Sequence, residues 1–282
     1  MTVGYLEVGK DRFPVASQGD GAPVLFVHGA PGDWRTFAKH AALLSDRYRC
    51  ITYTQRWFGT AQWRADGPPF ATRTHADDLI ALAEALGVGK LNLVAWSYGA
   101  HPAFSAAIER PDLFGSLLVY EPGFGTYIPD AASRLRFQVD VDTSWAPVVV
   151  ARRSGDLEAV LRAFIDRAGG AGAYDLLPEE DKAVLRDSRA ALSLMLSGSG
   201  TEPHPITCAD LQRIEIPTGV GWGQLSRPCF TIPSEGAANC IGGDRFEIGG
   251  VGHLWPTTHP EGFTKVIDHF LSQNPDGTAG SI

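Results

Sequence analysis

Residues 91–109 read Leu91-Asn92-Leu93-Val94-Ala95-Trp96-Ser97-Tyr98-Gly99-Ala100-His101-Pro102-Ala103-Phe104-Ser105-Ala106-Ala107-Ile108-Glu109. The first five are nearly continuous in apolar residues, as a strand covered on both faces requires. From Tyr98 the pattern is helical, and it stops before Pro111. Ser97 therefore stands at a tight strand-to-helix turn, with small residues two positions away on either side. Ala95 and Gly99 let neighbouring backbones come close, in the manner of a G-x-S-x-G turn whose first glycine is an alanine. Ser105 also lies between small residues, but mid-helix, where it cannot project at a turn.

Working outward, short apolar runs alternate with stretches of helical period, which predicts an α/β fold with a mostly parallel, doubly wound sheet. Strands are expected at Pro23–Val27, Cys50–Thr54, Leu91–Ala95, Ser116–Tyr120, Pro217–Trp222 and Arg245–Ile248, preceded by a hairpin over Val3–Ala16. Thr74 and Asp77 look like a capping box opening a helix over Asp78–Leu86 that stops at Gly87-Val88-Gly89. His259–Ser272 closes the fold as an amphipathic helix, and the tail from Asn274 reads as frayed. Between Phe124 and Arg213 no clean strand occurs. Helical stretches (Ala131–Val139, Leu157–Arg167, Glu179–Leu196) are joined there by Gly-rich and polar connectors, including the one over 197–205. So long an interval is an insertion rather than a loop. The expected division is a core of residues 1–123 and 214–282, interrupted by a helical lid of residues 124–213.

Composition narrows the class of partner. A net charge of −8 with no long Lys/Arg run lacks the electrostatic footprint that nucleic acid or an anionic membrane needs, so neither is expected. No basic, then apolar, leader and no run of about 18 apolar residues occurs, which leads to an expectation of a cytoplasmic protein. Cys50, Cys208, Cys229 and Cys240 form no CxxC pair and are expected as reduced thiols, a Cys229–Cys240 bridge being the alternative. His40, His75, His204, His259 and His269 show no metal-ligand spacing, so no metal is expected. The expected partner is a small molecule, bound by a monomer or homodimer.

Two further motifs stand at strand ends. His28-Gly29-Ala30-Pro31-Gly32 follows the strand ending at Val27, where a backbone amide can help to bind a developing oxyanion. Gly249-Gly250-Val251-Gly252-His253 follows the last predicted strand, from which an imidazole can reach a serine hydroxyl. With these, the hairpin, the turn Thr54-Gln55-Arg56-Trp57-Phe58-Gly59 and the closing helix, nearly the whole chain resembles the α/β-hydrolase family. The resemblance implies Ser97 as nucleophile, His253 as general base and acid, and Ala30 and Tyr98 as oxyanion-hole donors, with no cofactor.

The acid departs from the common family pattern. The loop Gly223-Gln224-Leu225-Ser226-Arg227 holds no carboxylate where many relatives have an Asp. Glu121, after the strand Ser116–Tyr120, is the expected substitute, and zearalenone-type lactone hydrolases resemble this placement. A structural role for Glu121 is the alternative, with Glu235 or Asp244 then supplying the acid. His28 is expected to be structural, and His101 a packing residue. Trp57, Phe58, Trp96, Phe124, Trp145 and Trp255 are expected near the cleft, which suits a bulky apolar or aromatic substrate. Arg56 and Arg227 are the candidates for holding an anionic group instead. The expected function is serine hydrolysis of an ester or lactone. The alternatives are C–C bond hydrolysis or a perhydrolase reaction on the same constellation, or a non-catalytic ligand-binding relative.

Overall fold

The computed structural model describes residues 1–197 and 205–274, and the following statements concern those residues. The strands are β1 (Thr2–Val8), β2 (Asp11–Gln18), β3 (Ala22–Val27), β4 (Tyr48–Tyr53), β5 (Leu91–Trp96), β6 (Phe114–Tyr120), β7 (Thr218–Gly223) and β8 (Asp244–Ile248). They form one sheet in the order β1-β2-β4-β3-β5-β6-β7-β8. The hairpin β1–β2 joins β4 antiparallel, and every pair from β4 to β8 is parallel. β5 is buried along its whole length, which is why its sequence reads as an apolar run rather than an alternation.

Helices α1 (Ala38–Leu44), α2 (Thr72–Leu86) and α3 (Ala100–Glu109) precede β6. Between β6 and β7 come α4 (Ala131–Arg153), α5 (Leu157–Gly169), α6 (Ala173–Leu176), α7 (Glu179–Asp187), α8 (Arg189–Ser197) and α9 (Cys208–Leu211). α10 (Pro228–Ile241) follows β7, and α11 (Trp255–Thr258) and α12 (Pro260–Gln273) close the chain. One face of the sheet buries Leu25, Leu93, Leu117 and Phe104, the other Phe26, Val94, Leu118 and Phe263. The helices between β6 and β7 have an apolar centre of their own, with Val148, Leu161, Phe164, Tyr174 and Leu192 at its middle.

Several expectations are corrected. Helix α2 begins at Thr72 behind Ala71, without a side-chain cap, so Thr74 and Asp77 lie inside its first turns and form no capping box. Its expected stop holds, with Gly87 in the left-handed conformation at φ +57°. The stretch expected as one helix over Glu179–Leu196 breaks at Ser188. That buried hydroxyl donates to the Gly32 carbonyl at 2.7 Å and accepts from the Gly59 amide at 2.9 Å, tying the insertion to two core loops. Helix α10 was not expected, because Pro228 and Pro233 interrupt its apparent period. Pro228 sits in the first turn, where no amide is needed. The cysteines also differ, since Cys208 and Cys240 form a disulfide joining α9 to α10, while Cys50 and Cys229 are free and buried. The expected frayed tail and most of the 197–205 connector lie outside the described residues.

Candidate active site

The sheet's connections leave in opposite directions from β3 and β5, and side chains placed just past the strand ends there face a common crevice. Ser97 follows β5 at φ +54°, a left-handed backbone that a non-glycine residue adopts only when its surroundings hold it. Close packing does so. A Cβ on Gly99 would lie 2.5 Å from the Val27 carbonyl oxygen and 2.6 Å from that of His28, and one on Gly29 would lie 3.1 Å from the Ser97 Cβ. The turn is pinned again through Tyr98. The His75 Nε2–H donates to the Arg56 carbonyl at 3.0 Å, which leaves Nδ1 to accept the Tyr98 hydroxyl at 2.6 Å.

Glu121 stands directly after β6, fully buried, and is also left-handed at φ +51°. Its amide donates to the Gly221 carbonyl at 3.0 Å. One carboxylate oxygen faces His253 Nδ1 at 2.7 Å. The other accepts the Gly223 amide at 2.7 Å and the Ser226 hydroxyl at 2.5 Å. The Glu121 carboxylate fixes the imidazole tautomer: Nδ1 carries the proton, and Nε2 is free to accept from the Ser97 Oγ at 3.1 Å. Phe230, from α10, stacks on the imidazole with ring centroids 3.6 Å apart and planes 13° from parallel, holding its plane. Ser97, His253 and Glu121 are thus one hydrogen-bonded chain. Glu235 and Asp244 are exposed and take no part in it.

A cavity opens onto Ser97 and His253, lined on the core side by Gly29, Ala30, Trp96 and Phe230 and on the insertion side by Phe164, Ile165, Arg167, Leu177 and Val184. Ala30 stands on its wall, while the Tyr98 side chain turns into a buried group with Phe58, Phe70 and His75. Of the six aromatic residues expected near the cleft, Trp96 lines this cavity. Phe58 lies in the same buried group as Tyr98, and Trp57 holds a left-handed turn at φ +72° outside the cavity wall. Phe124 stacks on His101 at 3.6 Å, Trp145 packs on Phe164, and Trp255 packs on Tyr120 and Phe263. They mark the core and the insertion rather than the cleft, because aromatic residues next to a motif in sequence need not share its face.

The charged residues also sort differently from expectation. Arg56 is bound by Asp11 and Asp78, and Arg227 by Asp140, so both are neutralised. His28 is structural as expected. Its Nε2 accepts the Gln55 amide at 3.1 Å, its Nδ1 donates to the Gly29 carbonyl at 2.8 Å, and burial lowers its pKa to about 4. Ser226, Phe230 and Arg167 are the site residues that sequence reasoning missed.

A family model described as alpha/beta hydrolase fold matches residues 22–143. The chain is similar to an epoxide hydrolase of Caballeronia sordidicola, 34% identical over 116 residues, which are 41% of this chain and 33% of that protein. It is also similar to the 2-(acetamidomethylene)succinate hydrolase of Mesorhizobium japonicum, 31% identical over 127 residues, 45% of this chain and 44% of that one. The matches thus span less than half the length of either relative. Among solved structures, the enol-lactonase from Burkholderia xenovorans LB400 superposes with a TM-score of 0.75 at 17% identity, covering 95% of this chain and 100% of that one. Sheet order, strand-end site and these likenesses define a member of the α/β class built on a mostly parallel eight-stranded sheet. The chain has the α/β-hydrolase fold, and its residues 22–143 match the family model of that fold.

Proposed function

We propose that the protein is a serine hydrolase acting on a carboxylic ester or lactone, with Ser97, His253 and Glu121 as its catalytic triad. The observation that carries this reading is the chain from Ser97 Oγ to His253 Nε2 at 3.1 Å and from His253 Nδ1 to Glu121 at 2.7 Å. Ser97 attacks the carbonyl carbon as its proton passes to His253 Nε2, and the buried Glu121 carboxylate stabilises the imidazolium that forms. The amides of Ala30 and Tyr98 take the role of donors to the tetrahedral oxyanion. Collapse expels the alcohol, protonated by His253, and leaves an acyl group on Ser97. Water, deprotonated by the same imidazole, then releases the acid. Residues 124–213 act in this reading as the lid that supplies the apolar far wall of the cavity.

Similarity to an epoxide hydrolase does not carry that reaction here. A serine opening an epoxide would leave an ether on the enzyme, which water does not cleave as it cleaves an ester. The test is turnover of a panel of p-nitrophenyl esters and lactones by the wild type and Ser97→Ala. Hydrolysis that disappears in the variant supports the reading. Hydrolysis that survives Ser97→Ala, or a wild type that turns over nothing and takes no label from a fluorophosphonate, rejects it.

A further inference from the structure

Three cationic side chains line the cavity that opens onto Ser97. Arg35 is held by Asp33 at 2.5 Å and Asp187 at 2.7 Å, and Lys39 by Glu180 at 2.6 Å with Asp181 at 3.8 Å. Arg167 is different. Among the described residues no carboxylate lies within ion-pair distance of it. Asp140, the carboxylate whose charge acts on it, is engaged by Arg227 and by the Cys229 amide. The recorded acceptors of Arg167 are the Ser144 hydroxyl at 3.2 Å and the Cys229 sulfur at 3.6 Å. Neither carries charge: Cys229 is a thiol whose pKa burial pushes up to about 12.

A guanidinium has five N–H donors, so two acceptors leave most of its hydrogen-bonding capacity unused. Burial without a counter-ion destabilises the charged form, and the Arg167 pKa is lowered by that desolvation. What holds the side chain in place is packing and dipole rather than an ion pair. Its charge lies 4.4 Å from the centre of the Trp145 ring and 5.4 Å from that of Phe230, in the last turn of α5, where the helix dipole favours a cation. Phe230 is also the ring stacked on His253. One aromatic ring therefore contacts both the imidazole that serves Ser97 and the unpaired guanidinium. With the rings against its faces, the group can offer its in-plane N–H edge, the geometry that matches a carboxylate.

We infer that the substrate carries a carboxylate, and that Arg167 binds it in the cavity beside the Ser97–His253 pair. The inference rests on the serine-hydrolase reading and names the substrate class for it: an ester or lactone with an apolar body and one anionic end. Arg167 is then a specificity-determining residue. It contributes to substrate recognition and takes no proton in the reaction.

Two matched pairs of probes test it, one with the charge on the acyl side and one with the charge on the leaving group. They are mono-p-nitrophenyl glutarate against p-nitrophenyl valerate, and 4-acetoxybenzoate against its methyl ester. In at least one pair the wild type should favour the anion about 10- to 100-fold in kcat/KM, the range expected of a charge-assisted hydrogen-bonded pair. Arg167→Met should lower turnover of the anionic member far more than that of the neutral one, removing that preference, and Arg167→Lys should retain part of it. A second measurement needs no variant: glutarate or benzoate should inhibit hydrolysis of the neutral esters competitively, while benzyl alcohol should not. Equal turnover of anion and neutral ester in both pairs, or an Arg167→Met enzyme that loses both members alike, would overturn the inference. Labelling of wild-type Ser97 by an uncharged fluorophosphonate separates the two levels. A labelled enzyme with no anion preference defeats this inference alone, whereas an unlabelled and inactive one defeats the hydrolase reading and this inference with it.

Discussion

Glu121 accepts three hydrogen bonds, and each partner has a different task. His253 is oriented by it, the Gly223 amide anchors it, and Ser226 occupies the loop position where the family pattern puts the acid itself. The serine that stands where the sequence lacks a carboxylate donates its hydroxyl to the Glu121 carboxylate. Glu121→Gln should keep the fold but present the wrong hydrogen-bonding partner to Nδ1, lowering kcat on an ester by about 10⁴-fold, as loss of the acid does in serine triads. Ser226→Ala leaves the carboxylate charge and two of its partners, so a loss of only about tenfold is expected. Steady-state kinetics on one chromogenic ester checks both, and equal losses in the two variants would contradict the assigned roles.

At the residue scale the legible part of the site was the part encoded by backbone demands. Ser97 between Ala95 and Gly99, and a glutamate directly after a strand, announce themselves because the turn and the strand end constrain what can stand there. Arg167 looks like an ordinary cation in the last turn of a helix, and that no carboxylate among the described residues pairs with it is a property of the packed chain. Phe230 was equally silent, since two prolines hid the period of the helix that presents it.

Among the elements, the parallel strands were read nearly to their ends, because burial on both faces writes itself as short apolar runs. The insertion was seen as helical, but its joints were not. Ser188 ends α7 without any Gly or Pro to signal it, and is held there by contacts to loops more than a hundred residues earlier. Ser188→Ala would leave the Gly59 amide without that acceptor and remove the donor to Gly32, which should lower stability by about 1–3 kcal/mol in a urea titration. An unchanged midpoint would show that the hydroxyl ties nothing together. The pairing of α9 to α10 by Cys208–Cys240 was also missed, since spacing alone cannot choose a partner among four cysteines. Without reductant, denatured protein should expose two thiols to Ellman's reagent and, after reduction, four; four from the start would contradict the bridge. The bridge corrects the expectation of reduced thiols at Cys208 and Cys240.

At the scale of the whole molecule, burial favours the neutral form of four histidines among the described residues. The pKa of His28 is lowered to about 4, and those of His40, His75 and His101 to about 3. In the unfolded chain each would titrate near 6.5, so below that pH the unfolded state binds more protons than the folded one. The sign is therefore that stability is fully present above about pH 6.5 and is lost as pH falls toward 4. The four shifts act in the same direction, so the loss accumulates as pH falls from about 6.5 toward 4. Urea midpoints should fall steeply between pH 7 and pH 5, and midpoints flat across that range would show that these imidazoles are already protonated in the fold.

The same architecture places Ser97, His253 and Glu121 past the ends of three strands far apart in sequence, and the proposal that they work as one unit has a direct test. Wild-type protein mixed with a p-nitrophenyl ester, quenched in acid within milliseconds and digested for mass spectrometry, should carry a single acyl group on Ser97, formed at the rate of the p-nitrophenol burst. Turnover with no acyl-enzyme on Ser97, or an acyl group mapped to another residue, would contradict the account.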